Sequence, residues 1–120
     1  MAKTRSVVIG CGFFSVNHLN GWMDLKDRCE IVAVCDSDGE KARAAAQRFG
    51  IAKHYADAAQ MLAAETPDFA DIVTTAPSHR PLVELCAAHG VAAIVQKPLA
   101  LDWEDATALV GAMRKKNLPL

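Results

Sequence analysis

A chain of 120 residues is long enough for one domain with a real core and too short for two ordinary ones. Its residues are 52% hydrophobic and 22% charged, as in a soluble globular protein, and a formal charge of −1 gives no general attraction to nucleic acid or an anionic membrane. No apolar stretch approaches the roughly 20 residues needed to span a bilayer.

Lys3 and Arg5 precede an apolar run, but Gly10 and Gly12 interrupt it and Asn17, His18 and Asn20 follow, so no secretion signal is expected. The four cysteines, Cys11, Cys29, Cys35 and Cys86, lack C-x-x-C spacing and a companion histidine cluster. Reduced thiols in a cytoplasmic protein, with no metal site, are the expectation.

Ser6 to Ile9 reads as a short strand, followed by a helix from about Phe13 or Phe14 to Leu25. Glu30 to Cys35 is a second strand. Ser37 with Glu40 forms a capping box that opens an alanine-rich helix ending at Phe49-Gly50. A weak third strand over Lys53 to Tyr55 leads through Asp57 into a short helix, and Phe69 to Thr75 is a fourth strand. Ser78 caps a helix that runs to His89-Gly90, where Pro81 is tolerable because first-turn amides lack helical partners. Val91 to Val95 is the fifth strand, and Asp102 starts a last helix ending on Arg114, Lys115 and Lys116, cations suited to a helix C-terminus.

Strands that are apolar throughout imply burial on both faces, and intervening helices imply parallel pairing through right-handed crossovers. The fold class is therefore α/β, a doubly wound parallel sheet of five or six strands with helices on both faces, one domain over residues 1–120.

Between the first strand and its helix lies G-x-G-x-x-S, Gly10 to Ser15. Gly10 allows a tight turn off the strand, and Gly12 lets backbone approach a pyrophosphate with no Cβ in the way. The amides of Phe13, Phe14 and the helix start would hold the phosphates. Asp36 follows the second strand a little over about twenty residues later, where a carboxylate accepts hydrogen bonds from both adenosine ribose hydroxyls. Ser37 beside it supplies no cation for a 2′-phosphate, so NAD is expected over NADP.

Ligands of such sheets lie beyond the carboxyl ends of the strands. Thr75, Ala76, Pro77, Ser78 and His79 follow the fourth strand and Gln96, Lys97 and Pro98 the fifth, so both segments should line the same crevice. Prolyl amides tolerate cis geometry, which suits a tight turn at Lys97-Pro98. His18, His54 and His89 read as surface or packing residues, and Trp22 and Trp103 as packing residues on their helices.

GCGFFS with Asn17-His18, VAVCD ending at Asp36, TTAPSH ending at His79 and QKPLA from Gln96 to Ala100 together resemble the N-terminal domain of the Gfo/Idh/MocA oxidoreductases, from about Ser6 to Asn117. The family's usual segment is Glu-Lys-Pro, and here Gln96 stands in the first place. The resemblance implies bound NAD or NADP and oxidation or reduction of a hydroxyl on a sugar, inositol or similar polyol. It implies that Lys97 lies near nicotinamide and substrate as the catalytic residue of this chain, and that His79 borders the nicotinamide pocket. It also implies a second α/β domain that supplies most substrate contacts, a proton-transfer pair and a dimer surface.

The chain stops about where a sixth strand would begin, so a fragment of a longer, self-associating enzyme is expected, inactive alone. A non-catalytic NAD-binding sensor is the alternative. A methyltransferase fits less well, because Ile9 rather than an acidic residue precedes Gly10 and Lys97-Pro98 would be unexplained.

Overall fold

The computed structural model describes residues 2–120. In chain order the elements are β1 (Thr4–Ile9), α1 (Ser15–Asp24), β2 (Cys29–Cys35), α2 (Gly39–Phe49), β3 (Lys53–Tyr55), α3 (Ala58–Glu65), β4 (Phe69–Ile72), α4 (His79–Ala88), β5 (Ala92–Val95) and α5 (Trp103–Lys115). A 3₁₀ turn over Ala76–Ser78 precedes α4. The strands form one sheet in the order β3-β2-β1-β4-β5, and every neighbouring pair is parallel. The sheet of the described residues thus has five strands.

Alternation along the strands sorts side chains into two cores. Val7, Ile9, Ala33, Cys35, Ala70 and Ile72 point to the side covered by α3, α4 and α5, where they meet Met61, Leu62, Val83, Leu109 and Met113. Val8, Ile31 and Val34 point to the opposite side and pack on Leu19 of α1 and Ala46 of α2. Fully burying one such aliphatic side chain stabilises the fold by about 1.5–3 kcal/mol. Ile94 of β5 faces the same side as Val8 but is 45% exposed.

Helix starts show where local chemistry differs from expectation. Asp57 caps α3, its carboxylate accepting from the Ala59 and Gln60 amides, and Asp102 caps α5 by accepting from Asp105 N–H. The cap of α2 is Asp38 rather than Ser37: Asp36 draws the Asp38 N–H to its own carboxylate, and Asp38 then accepts from Glu40 N–H. Ser78 makes no side-chain cap, because the 3₁₀ turn already runs into α4. The fourth strand ends at Ile72 rather than Thr75, and the Lys97-Pro98 peptide is cis. Trp103 does not pack; it stands 82% exposed at the start of α5.

β1 is central. The chain winds outward through β2 and β3, then returns to β1's other side for β4 and β5. Crossovers leaving in opposite directions open a crevice above the carboxyl ends of β1 and β4.

Candidate functional site

The turn after β1 is built to lie close against its neighbours. Gly10 has φ +105°, and its N–H donates to the Cys35 carbonyl at 2.7 Å. A Cβ there would stand 2.5 Å from the Val73 carbonyl oxygen, so only glycine fits. Gly12 differs: a Cβ on it would meet nothing within 4 Å, so that side of the loop faces open space. Ser15, buried in the place of a third glycine, donates its hydroxyl to the Gly12 carbonyl at 2.6 Å and ties the loop to α1. The amides of Gly12, Phe13 and Phe14 find no acceptor among the described residues.

Asp36 pins this loop from β2. One carboxylate oxygen accepts the Cys11 N–H at 2.8 Å and the other accepts the Asp38 N–H at 2.8 Å. Each carboxylate oxygen has a further lone pair to offer. Beside it, burial, the Asp36 carboxylate and Cys35 push the Cys11 thiol up to about 12, and burial with Asp36 and Asp57 pushes Cys35 up to about 11.

Two cavities occupy the crevice. One, of about 640 Å³, holds Gly10, Asp36 and Ser37 on one wall and Asp57, Pro77 and Leu82 on another. The second, of about 440 Å³, is bounded by Phe14, Thr75, Ala76, Pro77, Gln96 and Lys97. Thr74 and Pro77 line both, and the buried Thr74 hydroxyl has no partner among the described residues. Lys97 is exposed, and its ammonium pairs with none of the described acidic side chains. A third cavity, of about 450 Å³, lies away from the crevice among Lys3, Arg5, Lys26 and Lys53.

Of the residues singled out from sequence, Gly10, Asp36, Ser37, Phe14, Thr75, Ala76, Pro77 and Lys97 gather around this crevice. Phe13 projects from the loop, 96% exposed. His79 lines neither cavity. Its ring is fully buried, with Nδ1 3.0 Å from the Leu99 carbonyl and Nε2 3.0 Å from the Thr74 carbonyl. It therefore cross-links the loops after β4 and β5 from behind, because the segment following Pro98 folds over it.

Sequence reasoning missed the aliphatic and acidic wall of Leu82 and Asp57, which only the packing of α4 and the β3–α3 turn brings to Asp36. It also missed His18. That ring is not a surface group: Nδ1 lies 2.7 Å from the buried Asp71 carboxylate and Nε2 lies 3.0 Å from Gln96 Nε2. A lone aspartate inside the apolar FADI strand was the available signal.

Free amides at a helix start, an orphaned threonine hydroxyl and a carboxylate that already braces the loop suit a long, polar, phosphorylated ligand with a hydroxyl-bearing ring at the Asp36 end. Such an assembly on this strand order defines a dinucleotide-binding Rossmann domain. The chain belongs to the Gfo/Idh/MocA oxidoreductase family with its NAD-binding Rossmann fold, whose model it matches over residues 4–120.

It is 60% identical over 118 residues to the D-apiose dehydrogenase of Paraburkholderia graminis, covering 98% of this chain and 31% of that protein. Over 120 residues it is 44% identical to the D-apiose dehydrogenase of Rhizobium rhizogenes, covering 100% of this chain and 34% of that protein. The crystal structure of an oxidoreductase from Agrobacterium radiobacter in complex with NAD+, L-tartaric acid and magnesium superposes with a TM-score of 0.94 at 44% identity, covering 99% of this chain and 34% of that one. The chain thus spans about a third of the length of the relatives it matches.

Proposed function

We propose that this chain is the NAD(H)-binding portion of a dehydrogenase that acts on a hydroxyl of a sugar or polyol, with D-apiose the substrate to test first. The observation that carries the proposal is Asp36, whose carboxylate fixes the glycine loop while the residue lines the larger cavity. In this reading the adenosine ribose lies against Asp36, the adenine between Asp57 and Leu82, and the pyrophosphate against the amides of Gly12 and Phe13. The nicotinamide end occupies the smaller cavity beside Thr75, Ala76 and Lys97. A nicotinamide bound there would supply hydride acceptance or donation.

In this reading the Lys97 ammonium, which pairs with none of the described acidic side chains, donates a hydrogen bond to the reacting oxygen of the substrate. His79 keeps the two loops in register through the Thr74 and Leu99 carbonyls. The likeness to two D-apiose dehydrogenases, strongest at 60% identity, supports the substrate class. Hydride transfer also requires a pocket that orients the substrate carbon, and the described crevice has no second acid–base group facing Lys97. Productive turnover is therefore assigned to the longer protein.

The exposed Trp103 and Leu101 fit a protein contact and the expected homo-oligomer, and the four free thiols fit a reducing, cytoplasmic setting. Calorimetric titration with NAD+ and NADP+, together with steady-state assay on D-apiose, tests the proposal. Binding of NAD+ well ahead of NADP+ is expected, and equal or tighter binding of NADP+ would overturn it.

A further inference from the structure

The hydrogen positions around His18 can be assigned from groups that have no choice of role. At one end, the Lys97 backbone N–H can only donate, and it lies 2.8 Å from Gln96 Oε1. Turning the Gln96 amide over would set its NH2 against that N–H, donor against donor, so the oxygen must face Lys97. The Gln96 NH2 group therefore faces His18 Nε2 at 3.0 Å, and Nε2 must be the acceptor. A ring that accepts at Nε2 carries its hydrogen on Nδ1.

The other end gives the same answer independently. The Trp22 indole N–H can only donate, and it lies 2.8 Å from Asp71 Oδ2. That oxygen is an acceptor, and His18 Nδ1, 2.7 Å away, donates to it. Asp71 is 1% exposed on β4, so the ring is anchored inside the sheet.

We infer that Gln96, His18 and Asp71 are positioning residues for Lys97, acting through a one-way chain: Lys97 N–H to Gln96, Gln96 NH2 to a neutral Nδ1–H His18, and His18 to Asp71. The inference deepens the reading of Lys97 given above and rests on it for its functional meaning, though not for the proton assignment. The chain links the end of β5 to α1 and β4 and so fixes the backbone from which the Lys97 side chain enters the smaller cavity. His18 also touches Phe14 edge-on, ring centroids 5.7 Å apart, and Phe14 lines that same cavity. The glycine loop and the lysine loop are thereby held by one imidazole.

Gln96 decides the state of that imidazole. A carboxylate in its place would accept from both neighbours, and His18 would then carry hydrogens on both nitrogens between two carboxylates. Long-range 15N–1H spectra of the ligand-free chain, with His18 identified by its loss in His18→Asn, read this directly. The native protein at pH 7.5 should show a pyridine-type Nε2 and a protonated Nδ1, and Gln96→Glu should convert His18 to the doubly protonated form at the same pH.

The Lys97 amide supplies a second readout, since Gln96→Glu preserves its acceptor and Gln96→Leu removes it. Hydrogen exchange at Lys97 should be about tenfold faster in Gln96→Leu and near native in Gln96→Glu, the ratio expected from one lost hydrogen bond. A native His18 carrying its hydrogen on Nε2, or unchanged Lys97 exchange in Gln96→Leu, overturns the inference. None of these measurements involves cofactor, so failure to bind NAD+ would count against the functional reading alone.

Discussion

Asp36→Asn separates the two tasks of that carboxylate. The native side chain offers an oxygen to each of two backbone donors, Cys11 N–H and Asp38 N–H, both at 2.8 Å. The amide keeps one oxygen, so whichever way it turns, one backbone N–H faces an NH2 group. A hydrogen bond to a charged acceptor contributes about 1.5–3 kcal/mol, and partial exposure of Asp36 places the loss at the lower end, about 1.5 kcal/mol. For a domain of this size that lowers Tm by about 6 °C.

Binding should respond separately. Replacing a charged acceptor by a neutral one weakens its bond to a ribose hydroxyl by about 1.4 kcal/mol, or about tenfold in Kd for NAD+. NADP+ should lose less or gain, since a phosphate about 4 Å from a carboxylate is opposed by up to about 4 kcal/mol at an effective dielectric near 20. Thermal melts and calorimetry with both nucleotides give the two numbers. An unchanged Tm would refute the bracing role, and unchanged NAD+ affinity would refute the ribose role, each without touching the other.

The two loop glycines should divide in the same manner: Gly10→Ala, 2.5 Å from the Val73 oxygen at φ +105°, should cost several kcal/mol by urea unfolding, about 1–3 of it backbone strain. Gly12→Ala should leave stability within about 0.5 kcal/mol of native and weaken NAD+ binding, so equal stability losses in the two variants would contradict the geometry. Cys11 and Cys86, pushed up to about 12, and Cys35, pushed up to about 11, should resist a disulfide reagent at pH 8 until urea unfolds the chain. Because these folded values lie above the unfolded one of about 8.5, their stabilisation is complete below that pH and is lost as pH rises towards 11–12. A urea midpoint that does not fall across that window would count against them. Glu65 is held below the usual carboxylate range by the Tyr55 hydroxyl, then by Lys53 and Arg5, so its stabilisation is present above about pH 4.3 and is lost as pH falls through the folded value. Glu65→Gln should flatten the fall of Tm between pH 6 and 3, and a parallel fall would show that another group governs it.

Much of the fold is legible because it rests on short-range rules. Apolar runs such as VAVC are strands with two covered faces, and Asp57 and Asp102 announce helix starts that the structure keeps. Gly10 was legible as a turn, though its contact with Val73 belongs to β4 and is visible only in the fold. Asp36 was legible by spacing, whereas its grip on Asp38, which moves the helix cap from Ser37, depends on a side-chain conformation. The His18 chain was hidden because its partners are separated by 53 and 78 residues. The burial of His79 was hidden for the same reason. A first-turn histidine is ordinarily solvated, and nothing in TTAPSH says that the backbone of Leu99 will close over it.

The sheet order also governs when this protein can take shape during its own synthesis. β1 is made before its partners yet needs neighbours on both sides, and the second of them, β4, lies more than sixty residues downstream, Val7 pairing with Ala70. A nascent chain that has released β1, α1 and β2 can form one ladder, while the other edge of β1 stays bare and Val7 and Ile9 still lack Ile72 beside them. Closing so long a loop before its contacts form makes parallel pairing slow. Until β4 is available, an apolar β1 edge without its partner is the kind of surface on which chaperones act.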